Sequence, residues 1–437
     1  MSNRKRIWFE EAERKLDPGL VQQLRSNRKV DPDDTSTNEI PIIVYLKKNC
    51  DKDKKDDLLK TCNHDSHNKL EKELPSINGM KGYLTPGMIK QIKDHEAVDR
   101  IFYDRIVSAY LDIASDHIGA VNVHTHHNLT GKGVTIAVID TGIYPHEDLT
   151  NPIDRIVAFQ DFVNGQSEPY DDNGHGTHCA GDAAGNGFLS NGKYIGPAIE
   201  ASVIGIKVLD EQGSGRLSTI IEGLEWCMEH KEKYNIRIIS LSLGAPAYES
   251  FREDPMSLAA QMAWHHGIVV CAAAGNSGPA KSTISTPAID PFIITVGSTD
   301  DQGTLERTDD TIADYSSRGP TIDSFVKPDI YAPGTNIISL LASGSAVESE
   351  FQELIVDGDY IQLSGTSMAT PICAGVIALM LEANPSLSPN DVKSILKATS
   401  KPTLDDLWGY IEAENAVEMA KKYMLPLSAE KLGKVNG

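Results

Sequence analysis

The segment Gly365-Thr366-Ser367-Met368-Ala369-Thr370-Pro371 places a serine at the mouth of an apolar run that continues through Ile372, Ala374, Val376, Ile377, Leu379, Met380 and Leu381. A run of that kind predicts a buried helix with Ser367 in its first turn. The unpaired amides of that turn and the positive end of the helix dipole favour developing negative charge. A serine so placed is either a helix cap or a nucleophile. Position alone favours the cap, because Ser and Thr open many helices.

Upstream of this segment the chain alternates. Residues 134–139, 202–209, 236–243 and 268–273 are short and nearly continuously apolar, and helical patterns at 217–230 and 254–266 separate them. Strands apolar on both faces, interleaved with helices, predict an α/β fold: a doubly wound, mostly parallel sheet covered by helices on both faces. Residues 292–296 and 337–341 are expected to add strands. In such sheets chemistry gathers in the loops at the carboxyl ends of the strands.

The 437 residues can bury a large core, and 40% hydrophobic against 24% charged residues is an ordinary globular balance. Residues 1–120 hold 21 Lys and Arg against 21 Asp and Glu, so residues 121–437 carry the whole net charge of −21. An acidic surface repels phosphate, so nucleic acid is not an expected partner. The start, Met1-Ser2-Asn3-Arg4-Lys5-Arg6, is basic but leads into no apolar stretch of signal length, and no run is expected to span a membrane. Cys50, Cys62, Cys179, Cys227, Cys271 and Cys373 are scattered and read as free thiols of a reducing compartment. The cytoplasm is the expected location, with export by a non-standard route left open.

The shift in charge suggests a boundary near residue 120. Residues 1–38 read as a charged leader. Residues 39–118 read as a small α+β unit, with strands at 40–46 and 77–84, a helix at 86–95 and one or two strands in 98–111. The Lys/Asp-rich segment through Leu70 carries no clear pattern. The main domain is expected over 119–426, with a tail at 427–437.

Three loops of the main domain belong together. Val138-Ile139-Asp140-Thr141-Gly142 puts an aspartate directly after a buried strand, and Asn173-Gly174-His175-Gly176-Thr177-His178 puts a histidine where a glycine-rich loop enters a helix. A serine hydroxyl needs a base to take its proton, and the base needs an acceptor to hold its tautomer. With Ser367 the chain order is Asp, His, Ser.

These blocks resemble the three signature blocks of the subtilisin-like serine proteases, and Ala272-Ala273-Ala274-Gly275-Asn276-Ser277-Gly278 resembles the family's oxyanion-asparagine segment. The resemblance runs from about residue 130 to 420, in order, and is nearest to the intracellular AprX-type branch. It implies Ser367 as nucleophile, His175 as general base and Asp140 as its orienting partner. It implies an oxyanion hole from the Asn276 side chain and the Ser367 amide; the asparagine of subtilisin itself lowers the barrier by about 3 kcal/mol. Ser214, Gly215, Ser242, Leu243, Gly244, Ala274 and Gly275 would bind polypeptide substrate as an added strand. The floor of the first specificity pocket would come from residues 281–287, which hold no acidic residue and so indicate no preference for basic side chains. The small α+β unit would be an inhibitory propeptide, an intramolecular partner cleaved between about residues 111 and 129. No cofactor is required on this reading, and Asp148 matches a calcium-ligand position of many relatives.

Other features have plainer readings. His178 is expected to be structural, and Cys179 a buried small thiol. The clusters Cys62, His64, His67 and His124, His126, His127 lack paired zinc-site spacing. The acidic run 348–359 reads as a solvated loop. No serine has a Gly-x-Ser-x-Gly environment, which removes the main competing hydrolase fold. The expected protein is thus a serine endopeptidase made as an autoinhibited precursor. The alternative is a catalytically silent, precursor-locked binding protein of the same fold.

Overall fold

A computed structural model of the chain describes residues 38–48, 50–64, 66–74, 78–103, 114–402 and 408–423, together with residues 9, 15, 16, 20, 21, 24 and 25. It divides after Ser108 into two compact units.

The first unit holds strands β1 (Ile40–Leu46), β2 (Lys69–Leu74), β3 (Gly79–Leu84) and β4 (Val98–Tyr103) in the antiparallel order β2-β3-β1-β4. Helix α1 (Lys52–Cys62) follows β1 and α2 (Pro86–Ile92) follows β3, giving a βαββαβ unit. β1 buries Ile40, Ile42, Val44 and Leu46 on one face. The segment without a sequence pattern is helix α1. Asp51 caps it by accepting from the Lys54 amide, and only Leu58 and Cys62, four residues apart, are fully buried.

Two boundaries differ from expectation. Phe9, Leu16, Leu20 and Leu24 are buried in the same core as β1 and α2, and the Ile101 amide donates to Lys15 O at 2.8 Å, so the leader is part of the first unit. Ala114, Ile118, Ala120 and Val123 belong instead to the core of the second unit, because the short helical segments Ala114–His117, Ala120–Asn122 and Val123–His127 pack there. Residues 427–437, expected as a tail, lie outside the described residues.

The second unit is built on a ten-stranded sheet. Its strands are β5 (Thr135–Asp140), β6 (Ile156–Asp161), β7 (Ser202–Lys207), β8 (Ile236–Leu241), β9 (Val269–Ala273), β10 (Ile294–Asp300), β11 (Thr311–Ile312), β12 (Ile330–Pro333), and, near the end of the chain, Lys401–Pro402 and Trp408–Tyr410. The path β12-β10-β9-β8-β5-β7-β6 is parallel throughout. Every residue of β5 and β9 is buried, as strands covered on both faces require. β6 went unread because its apolar run, Ile156 to Phe159, is only four residues long and lies half-exposed at the sheet edge. Residues 337–340 form β13, which joins β14 (Ile355–Val356) and β15 (Tyr360–Leu363) in a separate antiparallel sheet rather than the main one.

Helices α3 (His175–Ala184), α4 (Leu217–Glu229) and α5 (Pro255–His265) cross between strands, and a one-turn helix α6 (Ala346–Glu350) precedes β14. The central element is α7 (Thr366–Ala383), buried from Met368 to Leu381. By length and composition α7 could cross a membrane, contrary to the reading that no run qualifies, but 83% of it is enclosed by the protein. Apolar residues on all sides mark the core helix of a large domain equally well.

Leu16→Ala should open a cavity in the first core and destabilise that unit by about 2–5 kcal/mol. Segment-resolved hydrogen exchange should then show protection lost in β1 and β4 and retained in β5; full protection in β1 would contradict the placement of the leader.

Candidate active site

Strand β5 ends on Asp140, which is fully buried. Its Oδ1 accepts from the Thr141 amide at 2.8 Å and faces His175 Nδ1 at 2.7 Å. His175 is the first residue of α3, and Gly176 lets that helix sit close, since a Cβ there would lie 2.3 Å from Gly142 O. Thr141 Oγ1 donates to Asp171 Oδ1 and accepts from the Gly176 amide, both at 2.8 Å. The amide and hydroxyl of Thr177 donate to Asp171 Oδ2. The buried Lys207 ammonium, at the end of β7, donates to Thr141 O, Asp172 Oδ1 and Leu209 O at 2.6, 2.6 and 2.8 Å. One cation thereby fastens the aspartate loop, the histidine loop and the segment leading to Ser214. Burial alone would lower the pKa of His175, but the Asp140 carboxylate outweighs it and holds the ring well above the ordinary 6.5.

Ser367 lies in the first turn of α7, as expected. Pro371 has no N–H, so the carbonyl of Ser367, four residues earlier, has no partner in the helical ladder. That carbonyl instead accepts from Ser242 Oγ at 2.7 Å and Cys179 Sγ at 3.5 Å. The Ser367 hydroxyl donates to Ser242 O at 3.1 Å, so it must turn about χ1 to meet the ring of His175. Asn276 Oδ1 accepts both the amide and the hydroxyl of Thr366 at 2.9 Å, which fixes the direction of its Nδ2. A Cβ on Gly365 would lie 3.2 Å from Asn276 Nδ2 and 3.5 Å from Ser367 N. The missing side chain of Gly365 leaves a space between two N–H donors, at a helix N-terminus.

These groups open on a cleft of about 940 Å³ lined by His175, Ser367, Asn276 and Gly275, by Ser214 and Gly215, and by Ser242, Leu243 and Gly244. Residues 282–285 also line it. Ala274 does not. It is fully buried, and its carbonyl accepts from the amide and hydroxyl of Ser285 at 3.0 and 3.1 Å, bracing that lining segment from behind. A carboxylate-held imidazole, a serine and two converging amides suit attack on a carbonyl with the resulting oxyanion held between the donors.

Cys179 sits 3.8 Å from His175 Nδ1, but burial pushes its thiol up to about 11, so it stays protonated and is no rival nucleophile. His178 spans α3 and the small sheet, with Nδ1 at 2.9 Å from Asp182 and Nε2 at 3.1 Å from the carbonyls of Ile337 and Ile361. His124, His126 and His127 do not converge: their partners are Pro197 O, Glu414 and Lys421. Nor does Asp148 suit a calcium ion. Its Oδ1 accepts from the Leu189 amide and its Oδ2 from the Tyr360 hydroxyl, both at 2.9 Å. The Arg155 guanidinium already takes the carbonyls of Asp148, Ala184 and Ala201, so a cation of the protein's own occupies the nearby oxygens. The links made by Lys207, Ser242 and Thr366 were missed in the sequence. Only the vacated carbonyl was legible there, from a proline four residues after Ser367.

Residues 131–417 match the Subtilase family. The chain belongs to that family. It is 47% identical over 365 residues to the serine protease AprX of Bacillus subtilis, across 81% of this chain and 82% of that one. Subtilisin E of the same organism is 32% identical over 338 residues, covering 76% and 78%. Among solved structures, the S41 psychrophilic protease aligns with a TM-score of 0.53 at 30% identity, over 67% of this chain and 91% of that one. This subtilase is therefore a subtilisin-like serine endopeptidase.

A methyl group at Gly365 would stand between the two N–H donors. Gly365→Ala is expected to lower kcat on the order of a hundredfold, the loss typical of a disabled oxyanion donor. KM and Tm should change little; steady-state kinetics and thermal unfolding of the variant check this, and an unchanged kcat would remove the space from the mechanism.

Proposed function

We propose that this subtilase hydrolyses internal peptide bonds through an acyl-enzyme on Ser367. The observation that carries the reading is the 2.7 Å contact of buried Asp140 with His175, in a cleft that also receives Ser367 and Asn276. His175, neutral and held by Asp140 through Nδ1, takes the Ser367 proton as Oγ turns from Ser242 O to attack the substrate carbonyl. The oxyanion sits between Asn276 Nδ2 and the Ser367 amide. His175 then protonates the departing amine, and water repeats the sequence to release the acid. Residues 214–215 and 242–244 take the substrate as an added strand.

The first unit acts on this reading as an inhibitory propeptide. Its support is a βαββαβ unit with a core of its own, ahead of the catalytic unit. Cleavage belongs ahead of Ala114, because Ser115 Oγ donates to Ile195 O at 2.6 Å and His117 meets Asp310 at 2.9 Å inside the catalytic core. Within the window expected from sequence, that leaves residues 111–113, which lie outside the described residues. A cytoplasmic site of action remains part of the proposal, supported by the free thiols.

A fluorophosphonate probe should label the wild type and not Ser367→Ala, and only the wild type should degrade casein. The variant should also stay full length. If the wild type neither labels nor cleaves after limited proteolysis ahead of Ala114, the protein is a silent binding protein instead.

The base must be neutral, and Asp140 raises the pH at which His175 loses its proton. kcat/KM should therefore climb with pH through an apparent pKa above 6.5, and Asp140→Asn should shift that limb down and slow the reaction. A profile flat from pH 6 to pH 9 would remove His175 as the base.

A further inference from the structure

The acidic run beyond β13 is not a solvated loop. It forms α6, a single 3₁₀ turn (Gln352–Leu354) and β14. Residues 343–359 contain Glu348, Glu350, Glu353, Asp357 and Asp359 and no Lys or Arg, and the nearest basic residues in sequence are Lys327 and Lys393. Asp357 meets Lys193 at 3.8 Å, whereas no ion pair engages Glu348, Glu350 or Glu353 among the described residues.

This segment is fastened to the histidine loop. The Ala346 and Val347 amides donate to Asp172 O and Asn173 O, each at 2.9 Å, two or three residues ahead of His175. Val347, Phe351 and Leu363 line the same cleft as His175 and Ser367. The Phe351 amide donates to Val347 O at 3.0 Å, so the two side chains stand one turn apart. Phe351 nevertheless stays 38% exposed, an apolar ring held open to water at the cleft.

The segments at 213–215, 242–244 and 282–285 account for the acyl half of a bound chain. The departing amine receives its proton from His175, so the departing chain leaves past the loop to which α6 is bonded. Leu363 lies four residues before Ser367, on the same approach. We propose that Val347, Phe351 and Leu363 form the wall that binds the leaving-group side of the polypeptide. It takes a large apolar residue directly after the scissile bond, and Glu348, Glu350 and Glu353, whose charges no ion pair neutralises among the described residues, favour a basic residue beyond it. The inference rests on the peptidase reading and adds a substrate class to it: chains with an apolar residue, then a basic one, after the cut.

Acyl transfer isolates this half of the site. The full chain, after maturation, is given N-acetyl-phenylalanine ethyl ester, and ethanol leaves as the acyl group bonds to Ser367 Oγ. An added dipeptide amide then competes with water. Its amine forms the new C–N bond, the C–O bond to Ser367 breaks, and the amine proton returns through His175 to Oγ. The ratio of amide to acid product reads acceptor binding alone. Leu-Arg-amide should outcompete Leu-Glu-amide about fivefold at low salt, with the preference shrinking as salt rises. It should outcompete Gly-Arg-amide about tenfold, the value of burying one leucine-sized side chain. Phe351→Ala should abolish the second preference, and the triple change Glu348→Gln, Glu350→Gln, Glu353→Gln only the first. Ester hydrolysis, whose ethanol is too short to reach α6, reports folded enzyme in every variant. Equal partitioning of all acceptors by the wild type, or wild-type ratios in variants that still cleave the ester, would overturn the proposal. A wild type that leaves the ester intact removes the peptidase reading first, and this inference with it.

Discussion

The carbonyl of Ser367 has nowhere to go within its own helix. Pro371 cannot donate to it, and a buried carbonyl without a partner costs about 1–3 kcal/mol. It is satisfied from outside, by the hydroxyl of Ser242 on the cleft-lining segment after β8 and the thiol of Cys179 on the histidine helix. A local defect in one helix thus becomes a three-way joint among the serine, the histidine helix and the cleft-lining segment that follows β8. The joint closes only when α7 is seated in the sheet, so the core and the site are assembled by the same event.

Lys207 plays the matching part for the acidic side. Its ammonium is buried among two carbonyls and the Asp172 carboxylate, where charge-assisted hydrogen bonds are strong and loss of one partner is costly. The register of β5 with β7 pairs Asp140 with Lys207, so the cation sits beside the aspartate loop by strand alignment alone. Specific geometry at the cleft follows from sheet register below it.

Much of this was legible in the sequence. Strands β5, β7, β8 and β9 are buried on both faces and announce themselves as apolar runs, and the loops at their carboxyl ends carry Asp140, Ser214, Ser242 and Asn276. What stayed hidden was structure made from few apolar residues or from distant ones. Helix α1 buries chiefly Leu58 and Cys62 under a coat of Lys and Asp, and β6 is half-exposed at an edge. Phe9, Leu16, Leu20 and Leu24 look like an isolated leader because the rest of their core is spread in sequence from Ile40 to Ile101. Ala274 shows a limit of motif transfer. The block is present, yet its backbone is turned to Ser285 and not to the cleft.

Helix α7 has a consequence for the chain as it is made. An 18-residue apolar segment with Ser367 in its first turn is a sticky, aggregation-prone stretch until the sheet encloses it. In that state the amides that face Gly365 are not aligned, the vacated carbonyl is unclaimed and Ser367 is not held in one cleft with His175. A chain whose α7 is not yet enclosed therefore lacks the assembled site. Competence arrives with enclosure, and the most vulnerable part of the polypeptide is also the part whose protection switches the chemistry on.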